Sequence, residues 1–152
     1  DDCFAKSYKD MRNKNIRIRV QAKDKFVSLY ADKNQMKKAF ENLINYCISS
    51  AYADTEIVCE IGKHSEDNNI FVSLGFESPY VSSKTIQNMF RMYTTSAEKM
   101  DKVGSSLSLY LAKQIINAHN GKINVESKKT NYNNYSIELP RINECKVPAL
   151  AC

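Results

Sequence analysis

Few side chains in this sequence are equipped for chemistry. His64 and His119 are the two histidines, and the five cysteines form no CxxC pair. A histidine-based metal centre is therefore excluded, and no Ser/His/Asp or Cys/His arrangement has a believable geometry. Cys47 and Cys59 fall inside apolar runs, where a thiol behaves as a small hydrophobe, and Cys3, Cys145 and Cys152 lie near the ends. That usage suits a reducing compartment, and cytoplasmic localisation is expected, a membrane-anchored parent being compatible with it. No catalytic residue and no metal ligand is assigned. What remains is asparagine on a helix pattern. Asn42 and Tyr46 stand one turn apart on one face, while Asn45 is turned about 100° from Tyr46.

The elements that must position these residues follow from periodicity. Ile16, Ile18 and Val20 alternate with Arg17, Arg19 and Gln21, which predicts a half-buried strand. A turn at Lys23-Asp24-Lys25 leads to Phe26–Tyr30, an expected antiparallel partner. From Asp32, a helix-capping residue, Met36, Ala39, Phe40, Leu43, Ile44, Cys47, Ile48 and Ala51 recur at helical spacing. Strands over 56–61 and 70–74 flank the polar turn His64–Asn69, forming a hairpin. A short helix is expected over Lys84–Met92, then a long loop from Tyr93 to Gly104. The next helix is expected to start at a Ser105 or Ser106 cap and to bury a stripe of Leu107, Leu111, Ile115 and Ala118, joined by Ala112 and Ile116. Asn120-Gly121 ends it in a left-handed residue. Strands over 122–126 and 135–139 close the domain around an Asn/Lys/Tyr-rich turn, and Pro140 stops the last one.

This order predicts an α/β (α+β) two-layer sandwich: one mixed, mainly antiparallel sheet with about three helices on one face. Residues 1–13 read as a trailing linker or the end of a preceding helix, 14–140 as the domain, and 141–152 as an irregular tail. The 152 residues, 43% apolar and 26% charged, suit one globular domain. With Pro 3 and Gly 4, linker-like or collagen-like readings are out. The net charge of +5 comes from dispersed lysines, so nucleic acid is not an expected partner. No run of about 18 apolar residues exists, so no direct membrane contact is expected.

Three segments resemble the catalytic, ATP-binding domain of sensor histidine kinases, the Bergerat-fold ATPases. Asp32–Ala51 resembles the asparagine-box helix, D-x-x-x-L-x-x-V-L-x-N-L-L-x-N-A-I-K. Ile86–Tyr93 resembles the phenylalanine box, with Met89-Phe90 in place. Gly104–Ser127 resembles G-T-G-L-G-L-A-I-V-K-x-I-V-x-x-H-G-G-x-I-x-V-x-S, with Lys113 and His119 matching. The resemblance implies a Bergerat-type fold and a nucleotide pocket at Asn42, Tyr46, Phe76, Ser78, Tyr80, Tyr93, Gly104, Ser106, Leu107 and Ser108.

Those pocket positions depart from the family pattern. Tyr46 stands where the family has its magnesium-holding asparagine, and a phenol is a poor ligand for a hard cation. A register using Asn45 instead would misplace the apolar stripe. Phe76 stands for the adenine-binding aspartate, and Ser78 and Tyr80 for two glycines of the first glycine box. Ser106 and Ser108 replace glycines where helix-terminal amides wrap phosphates. Losing the aspartate and the metal ligand together forfeits roughly 3–6 kcal/mol, two to four decades of affinity.

The expectation is therefore a pseudokinase module that works by protein–protein interaction, with no cofactor. Its partners would be the dimerisation and phosphoacceptor helices of its parent or of another signalling protein. The alternative is an ATP- and magnesium-using histidine kinase domain with an unorthodox pocket. Anti-sigma-factor kinases and MutL-like ATPases are more distant readings, disfavoured by the His119–Ser127 segment.

Overall fold

The computed structural model describes residues 7–24, 29–64, 66, 69–91 and 103–141, with side chains in the last stretch described from 107 onward. The element order is α1 (Tyr8–Asn13), β1 (Arg17–Ala22), α2 (Lys33–Ser50), β2 (Glu56–Lys63), β3 (Ile70–Glu77), α3 (Ser83–Met89), α4 (Val103–Ala118), β4 (Lys122–Lys128) and β5 (Tyr132–Leu139). The strands form one sheet in the order β1-β2-β3-β5-β4. β1 and β2 run parallel; every other pair is antiparallel. This is the mixed α+β sheet expected from the sequence.

Strand alternation separates the two faces. One cross-strand row, Cys59–Leu74–Tyr135–Val125, faces the helices, and the next, Glu60–Ser73–Ser136–Asn124, faces away. Over the first face α2 and α4 lie side by side. Leu43, Cys47, Ile48, Leu109, Ala112 and Ile116 of the helices and Ile57, Leu74, Phe76 and Ile137 of the sheet are all buried in one core. The outer face carries exposed pairs such as Arg19–Glu56 at 3.0 Å and Lys23–Glu60 at 3.2 Å.

Four expectations need correction. β1 pairs in parallel with β2 rather than antiparallel with a strand over 26–30. Leu29 and Tyr30 are irregular, and Phe26–Ser28 lie outside the described residues. The 18-residue α2 is itself the crossover, and such a connection joins parallel strands. α4 is rotated from the expected stripe: Leu109, Ala112 and Ile116 are buried, while Leu107 and Leu111 are 43% and 37% exposed. Ala118 is exposed too. Apolar residues cover so much of this helix that its period admits more than one rotation.

Third, α4 begins at Val103, so Gly104, Ser105 and Ser106 lie within the helix and neither serine is its cap. Fourth, β5 begins at Tyr132, so Tyr132, Asn133 and Asn134 belong to a strand and the turn shrinks to residues 129–131. Asn131 supplies the reversal with a φ of 61°.

Other local readings match. Asp32 caps α2, its carboxylate accepting from the Asn34 and Gln35 amides. Asn120 ends α4 with φ 58° while Gly121 donates to the Ile116 carbonyl at 2.9 Å. Gly121 is needed for a different reason than conformation: a Cβ there would lie 2.7 Å from the Glu138 carbonyl oxygen. Phe40, Val72, Ile115 and Ile123 are half-buried against the core rather than fully enclosed. Of the expected long loop Tyr93–Gly104, residues 93–102 lie outside the described residues, as does the side chain of Val103.

Candidate functional site

The site lies where α2 crosses the ends of β3 and β5. On α2, Asn42 and Tyr46 share a face one turn apart, both half-buried. Asn45 points elsewhere: it is exposed, and its Oδ1 accepts a hydrogen bond from the Ser7 hydroxyl at the start of α1. β3 delivers Phe76, fully buried, onto the same side. Its ring stacks on Tyr135 of β5, with centroids 5.7 Å apart and planes 17° from parallel. Tyr135 in turn meets Tyr46 at 5.5 Å, tilted 59°. The Tyr135 hydroxyl donates to that of Tyr46 at 3.4 Å. Burial, reinforced by Tyr46, holds the Tyr135 phenol well above its ordinary range, so it stays neutral. Each such aromatic pair contributes about 0.5–1.5 kcal/mol beyond the area it buries.

The chain leaving β3 is fixed by a polar lock. Asn133, fully buried on β5, donates through Nδ2 to the Ser78 hydroxyl and to the Pro79 carbonyl at 3.0 Å. Ser78 N–H donates to the Asn131 carbonyl at 2.9 Å, and Val81 N–H to the Ser127 hydroxyl at 2.8 Å. Tyr52, just beyond α2, donates to the Glu77 carbonyl at 3.0 Å. Ser78 is thereby buried, whereas Tyr80 stands 45% exposed. Two polar atoms, Asn42 Nδ2 and Asn133 Oδ1, are buried without a partner among the described residues.

On the far side, Ser82 caps α3 by accepting from the Thr85 amide. Lys113 of α4 sets its ammonium 5.1 Å from the centre of the Phe90 ring, tying α4 to the end of α3. His119 links the other helix ends: its Nε2 accepts from the Asp32 N–H at 3.2 Å, which leaves Nδ1–H to donate to the Ile115 carbonyl at 2.8 Å. Leu107 is exposed and Ser108 half-buried at the start of α4. Gly104 and Ser106 are placed only as helical backbone, and Tyr93 lies outside the described residues.

The structure thus brings Asn42, Tyr46, Phe76 and Ser78 together. It adds Tyr135 and Asn133, which the sequence pattern places in a strand and in a turn. The only signal for them was an unusual run of asparagine and tyrosine, Asn131–Tyr135. The aromatic trio and the asparagine–serine lock contain no carboxylate, imidazole or amine. Among the described residues, no group of three or more His, Cys, Asp or Glu could hold a metal ion, and no helix is long and apolar enough to cross a membrane.

Comparison with known proteins agrees with the fold. Residues 31–143 match the family model described as histidine kinase-, DNA gyrase B- and HSP90-like ATPase, a family that binds ATP with magnesium. Among curated relatives, the signal transduction histidine-protein kinase BaeS of Escherichia coli is 26% identical over 116 residues, 75% of this chain and 24% of BaeS. Sporulation kinase E of Bacillus subtilis is 25% identical over 83% of this chain and 16% of its own length. Sensor protein VanSC of Enterococcus gallinarum is 26% identical over 86% of this chain and 35% of its own. The chain therefore spans between a sixth and about a third of these relatives. Among solved structures, the catalytic domain of histidine kinase ThkA in a nucleotide-free form superposes with a TM-score of 0.78 at 20% identity, covering 92% of this chain and 88% of that one. ThkA has also been solved in complex with the response regulator TrrA, at a TM-score of 0.73 and 19% identity, covering 92% of this chain and 38% of that one.

Proposed function

The chain belongs to the histidine kinase-, DNA gyrase B- and HSP90-like ATPases, as a catalytic-domain-like module of sensor kinases, and we propose that it is a pseudokinase whose nucleotide pocket is filled by its own side chains. The observation that carries this reading is the Phe76–Tyr135–Tyr46 stack between α2 and the sheet. On this reading Phe76 presents hydrocarbon where a base-binding carboxylate would stand, and the Tyr46 hydroxyl is engaged with Tyr135 rather than free to meet a metal. The residues present do not fit magnesium ATP.

With the pocket closed, the module acts by contact. Its partners are the dimerisation and phosphoacceptor helices of its parent, or a further signalling protein. The decisive experiment is thermal unfolding with millimolar ATP and magnesium, because a ligand that binds the native state raises Tm by mass action. We expect no shift, with a nucleotide-binding sensor kinase domain as positive control. A clear rise in Tm, or micromolar affinity by calorimetry, overturns the proposal in favour of an ATP-using kinase domain.

A further inference from the structure

Helix α2 has no basic residue in its last turn, so its own sequence leaves the carbonyls there without a cationic partner. A residue far upstream supplies one. Lys14, directly after α1, donates from Nζ to the carbonyls of Ile48 at 3.0 Å, Ser49 at 2.6 Å and Ala51 at 3.1 Å. The same segment is anchored twice more on this end of the domain. Asp54 N–H donates to the Lys14 carbonyl at 2.8 Å, and Asn15 Nδ2 donates to the Asp54 carboxylate at 2.8 Å. Ser7 reaches Asn45, the neighbour of Tyr46.

We infer that Lys14 is a positioning residue through which the segment entering the domain controls the candidate site. The route is a continuous set of bonds. Lys14 fixes the last turn of α2, the Ala51 N–H closes that turn on the Cys47 carbonyl at 2.8 Å, and Tyr52 binds Glu77 between Phe76 and Ser78. Displacing Lys14 frees the exit of α2 and, with it, the Tyr46 ring and the end of β3. Residues 7–22 lie before the stretch that matches the family model. The inference goes beyond the proposed function and does not depend on whether nucleotide enters.

The test uses the whole chain and NMR. In Lys14→Met, which keeps most of the stem and removes the charge, amide exchange at Ala51 and Tyr52 is expected to rise about fivefold to tenfold. The Tyr46 ring resonance is expected to move, and Lys14→Arg to restore both. Ile57→Val, a core change on β2, should lower Tm without moving the Tyr46 ring. An unmoved ring in Lys14→Met, or the same movement in Ile57→Val, overturns the inference. If Lys14→Met does not fold, Ser7→Ala carries the test: a smaller shift of the Tyr46 ring supports the clasp, and none overturns it.

Discussion

Helices α2 and α4 lie side by side on the same sheet, yet their sequences specify them to different degrees. Along α2 the apolar residues occupy one narrow stripe. Met36, Ala39, Leu43, Ile44, Cys47 and Ile48 are all buried, with charged and amide side chains filling the other faces. One rotation buries that stripe and leaves Lys33, Lys37 and Lys38 accessible, and Glu41 is the one charged side chain of the helix that it encloses. Along α4, Leu107, Leu109, Leu111, Ala112, Ile115 and Ile116 spread around the helix, and the buried set is Leu109, Ala112 and Ile116. A helix with apolar residues on several faces must take its rotation from its neighbours: here α2, β4, and α3 through Lys113 and Phe90.

The largest effect expected from breaking this comparison lies beneath both helices. Phe76→Ala removes a fully buried ring from the stack with Tyr135 and should cost about 3–5 kcal/mol in denaturant unfolding. A loss under 1 kcal/mol would mean that the site collapses easily and that the aromatic filling is not part of the core.

Next in size is the rotation of α4. Leu109→Ala should cost about 2–5 kcal/mol, whereas Leu111→Ala, at a position 37% exposed, should cost under about 1 kcal/mol. A larger cost at Leu111 than at Leu109 would return α4 to the rotation expected from its sequence. The two substitutions remove the same atoms two residues apart, so the difference reports orientation and little else.

The two ends of α2 repeat the contrast on a smaller scale. Its N-terminus is capped by Asp32, two and three residues from the amides it accepts. Its C-terminus is held by Lys14 from more than thirty residues away. Asp32→Ala should cost about 0.5–2 kcal/mol and raise exchange in the first turn, while Lys14→Met raises it in the last turn alone. If both variants loosen the whole helix, the ends are not independent.

These contrasts also mark what was legible in the sequence. The Asp32 cap, the β2–β3 hairpin, the Asn120 terminus and the α2 stripe all rest on residues within one or two turns of each other, and each could be read directly. The parallel pairing of β1 could not, because the residues that decide it, Arg17–Ala22 and Glu56–Ile61, are separated by a whole helix. At the site, Phe76, Ser78 and Tyr46 were visible as departures from the resembled pattern. Asn133 was hidden in an Asn/Tyr-rich stretch that reads as turn, and Tyr135 reads only as the first residue of a strand. Their roles come from the β3–β5 register, Phe76 opposite Asn133 and Leu74 opposite Tyr135, which no local pattern encodes. The Lys14 clasp was unreadable for the same reason: a lysine after a short helix looks like ordinary solvated charge.

The smallest expected effect concerns pH and the two buried thiols under α2. Burial raises the Cys47 thiol well above its ordinary range, with Cys59 adding to the shift, and burial also raises Cys59. Both are free and buried. A thiol whose folded value lies above its unfolded value binds more protons in the native state. Its contribution is thus fully present below the unfolded value of about 8.5 and is lost progressively as pH rises through and beyond it. Unfolding free energy should therefore be level between about pH 7 and 8 and fall between about pH 8.5 and 10. In the Cys47→Ala, Cys59→Ala double variant the plateau is lower, because two packed side chains are lost, but the alkaline fall should be shallower. The buried Tyr135 phenol, also raised, accounts for the part of the fall that remains at the highest pH. Equal slopes in the two proteins would show that the thiols titrate alike in the folded and unfolded chains, and that α2 does not shield them from water as it shields Leu43 and Ile48.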